Sequence, residues 1–243
     1  MFAGNAGRVE LSSTSTVRVT ASPAPSFITN WTNFHRDEYT NIVNIIFQIV
    51  ILILSATLHE ASHGYVAYAL GDPTAKLEGR LTLNPIKHLE LFGSILLPLI
   101  MYISTGGAIV FGWAKPVPYN PYNLRAGKWG PVYVALAGPF SNLLLAIIFS
   151  IIVRTFYATL APAFIMIASL VVIINVLLAV FNLIPIPPLD GSKLLFAILP
   201  AHARQIEEFL VRYQIFILLF ILFIGWPIIE YPVTWLTHLL LPF

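Results

Sequence analysis

The chain has 243 residues, of which 58% are hydrophobic and only 10% are charged, and its mean hydropathy is +0.82. Because a soluble domain carries about 25% charged residues, this composition excludes ordinary globular and disordered proteins. The net charge of +2, from 13 basic and 11 acidic residues, indicates no nucleic-acid partner. The absence of cysteine excludes disulfides, thiol catalysis and zinc–thiolate sites, so any metal must be held by His, Asp or Glu. We therefore predict an integral membrane protein surrounded by a lipid bilayer.

The chain divides into a polar start and an apolar remainder. Residues 1–40 are rich in Ser and Thr, and we predict a disordered tail; a transit-like segment and an overlong start are the alternatives. Residues 41–200 contain the main apolar runs and form the predicted membrane core, and residues 201–243 add C-terminal membrane segments. The length suits about five to six segments of about 20 residues. The predicted fold class is an all-α membrane protein, a polytopic bundle of transmembrane helices.

Two stretches depart from regular spanning helices. Residues 89–104 are short for a span, and residues 109–124 are rich in proline and tyrosine. We predict a re-entrant segment followed by extended, β-like chain, which is tolerated at membrane depth only where protein or a water-filled cavity covers it. Further on, Gly225-Trp226-Pro227 is expected to kink or break a helix.

Basic residues predict the orientation in the membrane. They concentrate between the first and third long apolar runs, and again between the fourth and fifth. By the positive-inside tendency, both basic loops are cytoplasmic and Asn41 starts outside. Residues 89–104 must then enter and leave on one side, which favours the re-entrant interpretation.

The motif His59-Glu60-Ala61-Ser62-His63 points to metal chemistry. Residues four apart share a helix face, so both imidazoles can reach one zinc ion, while Glu60 can contact water at the metal without being a ligand. The motif lies roughly 25 Å along a helix that starts at Ile42, toward its inner end. The alternative to a metal site is a helix end whose histidines only contact lipid headgroups. Ionisable groups on a membrane helix are costly unless they face a polar interior, which favours a functional site.

A catalytic zinc needs a third protein ligand, and the candidates are few. Between Leu91 and Ile206 the only acidic residue is Asp190, and the only histidine is His202. Asp190 follows a proline-rich stretch on the predicted cytoplasmic side, where stiff extended chain can return a carboxylate to membrane depth. The alternative is that Asp190 caps a helix starting at Gly191.

Several motifs together resemble the site-2 protease family of intramembrane zinc metalloproteases, in its compact bacterial form without PDZ or CBS domains. The resemblance depends mainly on the His-Glu-x-x-His motif and on the distant Asn182-Leu183-Ile184-Pro185-Ile186-Pro187-Pro188-Leu189-Asp190-Gly191. Further agreement comes from Gly71-Asp72-Pro73-Thr74-Ala75-Lys76, Gly79-Arg80-Leu81-Thr82-Leu83-Asn84-Pro85, Phe111-Gly112-Trp113-Ala114-Lys115-Pro116-Val117-Pro118 and Ala137-Gly138-Pro139-Phe140-Ser141-Asn142. Glu90-Leu91-Phe92-Gly93 departs from relatives, which commonly have Asp-Pro there.

The resemblance implies hydrolysis of a peptide bond in or beside a transmembrane segment of a membrane-protein substrate, single-span or otherwise. It implies one Zn²⁺ per chain, with His59, His63 and Asp190 as ligands and Glu60 as general base. Asn182 matches the family motif as a possible oxyanion donor, with a helix-end cap as the equal alternative. For Asn142, packing through the small Gly138 is favoured over substrate contact. The rival functions are a catalytically silent homologue that binds clients and a metal carrier.

Two further expectations concern substrate and place. The irregular stretch 109–128 is predicted to line the water path and to hold substrate as an added strand, because a helical peptide bond is poorly exposed to attack. The predicted location is the plasma membrane, multi-pass, with the active site toward the cytoplasm; an organelle membrane is the alternative.

Overall fold

The computed structural model describes residues 38–90 and 115–242, together with the isolated positions 93, 96, 100 and 103. Most of the predicted tail and most of the predicted re-entrant segment lie outside these residues, and the last three residues of the predicted tail, 38–40, belong to the first helix. The α-helices are α1 (Glu38–Ala69), α2 (Thr74–Leu77), α3 (Gly130–Phe156), α4 (Pro162–Asn182), α5 (Gly191–Ile198), α6 (Arg204–Arg212), α7 (Gln214–Phe223) and α8 (Trp226–Leu240). The described part of the chain contains no β-strand, so the all-helical class is confirmed there and the β-like region is not.

Three of the described helices are long and apolar enough to cross a membrane: Asn44–Ala69 within α1, Gly127–Phe156 including α3, and α4. Helices α7 and α8 pass the same test only as a pair, bent by 64°. The predicted break at Gly225-Trp226-Pro227 is thereby confirmed, since α7 ends at Phe223 and α8 begins at Trp226. The described residues thus give three to four candidate spans, and the larger predicted count stays a prediction.

The burial pattern of α1 is the reverse of that of a soluble helix. Ile46 and Leu54 are exposed, whereas Asn44 and Ser55 are buried. Ser55 Oγ accepts a 2.9 Å hydrogen bond from Asn175 Nδ2 on α4, which satisfies a polar group inside the bundle. Apolar residues outside and bonded polar residues inside are what a helix surrounded by lipid requires.

The core of the bundle joins α3, α4 and α8. Its fully or nearly buried members are Ala146, Val153, Ala168, Val172, Val176, Ile229, Val233 and Leu241. Small and β-branched side chains dominate this list, which lets the helix backbones approach closely. The C-terminal helix α8 is therefore packed on the same two spans that border the candidate site.

Helix α1 runs antiparallel to α3, and a main-chain hydrogen bond connects the end of α1 to the chain just before α3. Gly71, with φ +108°, ends α1 in a conformation that L side chains rarely adopt, and the chain reverses there. Arg125 N then donates to Leu70 O at 2.9 Å, just before α3 begins. This bond ties the end of α1 to the residues that precede α3.

Asp72 anchors the irregular segment 115–123 at the end of α1. Its carboxylate is fully buried and accepts bonds from Asn120 N at 2.7 Å, Asn123 Nδ2 at 2.8 Å and Thr74 Oγ1 at 2.6 Å. Burial alone would raise the pKa of Asp72, but the hydrogen bonds from Thr74, Asn123 and Asn120 outweigh it and lower the pKa below its ordinary value. An ionised carboxylate thus holds the segment that crosses the candidate site.

Candidate metal centre

His59 and His63 lie one turn apart on α1, on the face that packs against α3. Their ring centroids are 4.6 Å apart, and both residues are less than 10% exposed. His63 Nδ1 lies 2.7 Å from Val134 O of α3, which can only accept, so this nitrogen donates and the lone pair of Nε2 remains available for a cation. The helical spacing expected from the motif is therefore realised in a buried, polar position.

The loop between α4 and α5 brings Asp190 to the two histidines. Asp190 Oδ2 lies 3.1 Å from His59 Nε2 and 3.3 Å from His63 Nε2. Helix α5 begins at the next residue, Gly191, where a Cβ would lie 2.2 Å from Leu183 O; only glycine lets α5 start so close to the end of α4. The alternative role of Asp190 as a helix cap is not seen, because its side chain makes no capping hydrogen bond.

The distances from Asp190 to the two imidazoles fit a zinc ion. Two ligand atoms bound at about 2.1 Å to one tetrahedral zinc are about 3.4 Å apart, close to the observed 3.1 Å and 3.3 Å. Two imidazoles and one carboxylate are also a donor set that catalytic zinc uses, with one position left open. His59, His63 and Glu60 of the motif lie together as well, with possible ligand atoms within 4.8 Å of one another.

The ionisation of Asp190 agrees with this arrangement. Burial of Asp190 would raise its pKa, but the neighbouring imidazoles of His59 and His63 outweigh burial and lower the pKa to about 2. Asp190 is therefore a carboxylate at neutral pH, which is the form that binds a cation.

Gly138 of α3 forms the floor beneath both imidazoles. A Cβ built there would lie 2.5 Å from His59 Nε2 and 2.6 Å from His63 Cε1. One turn further along α3, Asn142 Nδ2 lies 3.3 Å from His59 Nδ1. The structure thus places both residues against the histidines, as packing through Gly138 requires, and it adds a polar contact from Asn142 that the sequence did not single out.

Glu60 contacts the irregular segment 115–123 next to the two histidines. Val117 N donates to Glu60 Oε2 at 2.9 Å, and the Val117 side chain packs on Gly64, where a Cβ would lie 2.9 Å from Val117 Cγ1. Burial, and then the negative charge of Asp190, raise the pKa of Tyr119 in the same segment. Segment 115–123 is therefore part of the site. No pattern in the sequence identifies the main-chain donor at Val117.

Asn182 is the predicted site residue that the structure leaves apart. It is the last residue of α4, and its Nδ2 donates to Leu178 O at 2.9 Å. Within the described ranges, no hydrogen bond connects Asn182 to the two histidines or to Asp190. Its helix-end bond agrees with the alternative role, and oxyanion donation stays a prediction.

A bundle of apolar helices with two imidazoles and two carboxylates gathered inside it defines a membrane-type metallohydrolase. The family model described as Peptidase family M50 matches residues 153–224, a range that includes Asp190. The "Putative zinc metalloprotease YwhC" of Bacillus subtilis is 39% identical in an alignment of 197 residues that covers 75% of this chain and 85% of that relative. This chain belongs to peptidase family M50: it is a metalloendopeptidase, and its metal is zinc.

More distant relatives agree with this assignment. The proteins named "Putative zinc metalloprotease Rip2" are 32% identical over 139 residues in Mycolicibacterium smegmatis and 30% identical over 171 residues in Mycobacterium tuberculosis. These alignments cover 57% and 70% of this chain, and 52% and 62% of the two relatives. No solved structure matches the chain.

Proposed function

We propose that this zinc metalloprotease cleaves a peptide bond in or beside a transmembrane segment of membrane-protein substrates. The observation that carries the proposal is the meeting of His59, His63 and Asp190 inside a bundle of apolar helices. His59 lies roughly 22 Å along the span that begins at Asn44, taking a rise of about 1.5 Å per residue. A hydrolytic site at that depth favours substrates that are themselves in the membrane.

In this proposal His59, His63 and Asp190 hold one zinc ion and Glu60 moves protons. Bound zinc supplies Lewis acidity, which polarises the scissile carbonyl and acidifies a water molecule. Glu60 takes the proton of the attacking water and delivers it to the leaving amine nitrogen. Because Val117 N–H binds one carboxylate oxygen of Glu60, we assign proton transfer to the other oxygen.

We further propose that single-span proteins are among the substrates and that segment 115–120 presents them to the site. The bond from Val117 N to Glu60 supports this role, since it places irregular backbone beside the base. A substrate that pairs with this segment as a strand exposes its peptide bond, whereas a helix conceals it. Disulfide trapping between substrate cysteines and Val117→Cys or Tyr119→Cys tests this step, and failure at all tested positions would count against it.

Orientation and location also belong to the proposal. We propose a multi-pass protein of the plasma membrane, with five to six segments in all and the zinc site toward the cytoplasm. The ends of α1 and α4 and the start of α3 meet at one side of the bundle, and the predicted cytoplasmic basic loops adjoin that side. The bundle therefore agrees with the positive-inside assignment of those loops.

The decisive experiment is cleavage of a single-span reporter in liposomes by the purified full chain. We expect wild type to cleave, Glu60→Gln to lose at least about a hundredfold in rate, and chelated wild type to recover with added zinc. Glu78→Gln, which changes an exposed glutamate outside the site, is the matched control and should cleave like wild type. Equal product from wild type and Glu60→Gln would reject the assignment, and a zinc-loaded wild type that cleaves no membrane reporter would favour the client-binding alternative.

A further inference from the structure

Asn142 is a fully buried amide whose two ends have different surroundings. Its Nδ2 lies 3.3 Å from His59 Nδ1, and its Oδ1 is buried without a hydrogen-bond partner in the part of the chain that the structure describes. A buried polar atom with no hydrogen-bond partner is energetically unfavourable. The amide therefore does not reach its lowest free energy in this orientation.

When His59 binds zinc, its Nδ1 needs a hydrogen-bond acceptor. A neutral imidazole that binds a metal through Nε2 carries its proton on Nδ1, which becomes a hydrogen-bond donor. His63 meets that requirement, since its Nδ1 lies 2.7 Å from the accepting Val134 O. His59 Nδ1 faces the amide nitrogen of Asn142, a second donor, and two donors cannot form a hydrogen bond.

We propose that Asn142 is a positioning residue for the zinc ligand His59 and accepts the Nδ1 proton of His59 through Oδ1. A rotation of about 180° about the Cβ–Cγ bond exchanges the two ends of the amide without moving the backbone. The rotation replaces a donor–donor contact by a hydrogen bond. This bond fixes the tautomer and the ring plane in which His59 Nε2 points at the metal. The inference rests on the proposed zinc site.

The register of α3 supports this role. Val134, Gly138 and Asn142 are spaced four apart and share one face of α3, opposite His63 and His59 on the antiparallel α1. The carbonyl of Val134 serves His63, the amide of Asn142 serves His59, and Gly138 leaves the space between them for both rings. One helix face thus supplies a hydrogen-bond acceptor for each histidine. The same face has no side chain at Gly138, where one would displace both rings.

The test is zinc affinity, measured on the purified full chain in detergent by competition with a chromophoric chelator. Asn142→Leu keeps the branched shape and removes the acceptor, so we expect zinc affinity to fall about 10- to 100-fold. Asn142→Asp carries only acceptors and should stay within about threefold of wild type. His63→Ala reports on the proposed zinc site itself and should abolish stoichiometric binding.

Each outcome has a separate meaning. If Asn142→Leu binds zinc as tightly as wild type, the inference is overturned and Asn142 is a packing residue. If wild type binds no zinc, or if His63→Ala binds zinc normally, the proposed zinc site itself is overturned. Loss of zinc in Asn142→Asp would overturn the inference as well, because it would show that the amide donor matters. If Asn142→Leu does not fold, Asn142→Asp against wild type still decides between acceptor and donor.

Discussion

At the scale of single residues, the site depends as much on a missing side chain as on the residues that bind. Gly138 lies where any Cβ would come within 2.6 Å of both imidazoles. A contact that short cannot be relieved by the movement of a flexible side-chain end, because the opposing atoms belong to the two buried imidazole rings. The small residue is therefore a condition for the His–Asp cluster, and it explains why a glycine occurs in the middle of a long spanning helix despite its cost of about 1 kcal/mol relative to alanine.

Gly138→Ala tests that condition. We expect the added methyl group to displace His59 and His63 and to lower the zinc content of the purified protein severalfold, with a parallel loss of cleavage. Metal analysis after dialysis against a weak chelator measures the effect. Ala137→Ser, which adds one atom to the adjacent half-buried position, is the control and should keep its zinc. If Gly138→Ala keeps the zinc content of wild type, α3 can move away from α1 to make room for the methyl group. That result would contradict the close packing of the two helices.

At the scale of elements, two polar clamps hold the helices and the irregular segment together. Asp72 ties segment 115–123 to the end of α1, and Arg154 ties the end of α8 to α3. Both clamps bind main-chain groups that helices and irregular chain leave without partners of their own. They act at opposite ends of α3, so their effects on stability should be independent.

The Asp72 clamp predicts a pH-dependent stability. Asp72→Asn removes the negative charge and replaces one carboxylate oxygen by an NH₂ group, which faces the hydrogen-bond donors that Asp72 binds. We therefore expect the free energy of unfolding to fall by about 2 kcal/mol at neutral pH. Because folding lowers the pKa of Asp72, its contribution is fully present above the unfolded value of about 3.9 and is lost as the pH falls through the lower folded value. The difference in Tm between wild type and Asp72→Asn should be constant from about pH 5 to 8 and shrink below about pH 4. Glu78→Gln should show no such difference, and a gap that widened in acid would contradict the clamp.

The Arg154 clamp stabilises the C-terminal helix. Arg154 donates through Nε to Leu240 O at 2.6 Å and through Nη2 to Leu239 O, and Ser150 Oγ donates to Leu240 O at 2.5 Å. Arg154→Gln should lower the free energy of unfolding by about 1–2 kcal/mol, since a cation there also favours the negative end of the helix dipole. Thermal unfolding in detergent measures the change, with the exposed Lys87→Gln as control. If Arg154→Gln unfolded at the wild-type temperature, the bonds to α8 would not contribute to stability.

At the scale of the whole molecule, the sequence predicts the spans and the ligand cluster better than it predicts their supports. Long apolar runs predict that α3 and α4 exist as long helices, because length and hydropathy decide what can cross a membrane. The scarcity of acidic residues identified Asp190 as the partner of the two histidines. The hydrogen bond from Val117 to Glu60 could not be predicted from the sequence, since it joins a main-chain group to a side chain 57 positions away and depends on the path of the chain. The contact of Asn142 with His59 required the register of two helices, which hydropathy does not give.

The same whole-molecule arrangement makes a prediction about sidedness that the absence of native cysteine makes easy to test. Leu77 and Tyr122, 82% and 95% exposed, lie near the end of α1 and the start of α3, while Ala161 is exposed between α3 and α4 at the other end of the bundle. In a single-cysteine series, a membrane-impermeant maleimide should label Ala161→Cys in intact cells. Leu77→Cys and Tyr122→Cys should be labelled only after permeabilisation, because the positive-inside tendency places the basic loops in the cytoplasm. The reverse pattern would put the zinc site toward the outside. Equal labelling of Leu77→Cys and Ala161→Cys in intact cells would contradict the assignment of α3 as a membrane-crossing helix.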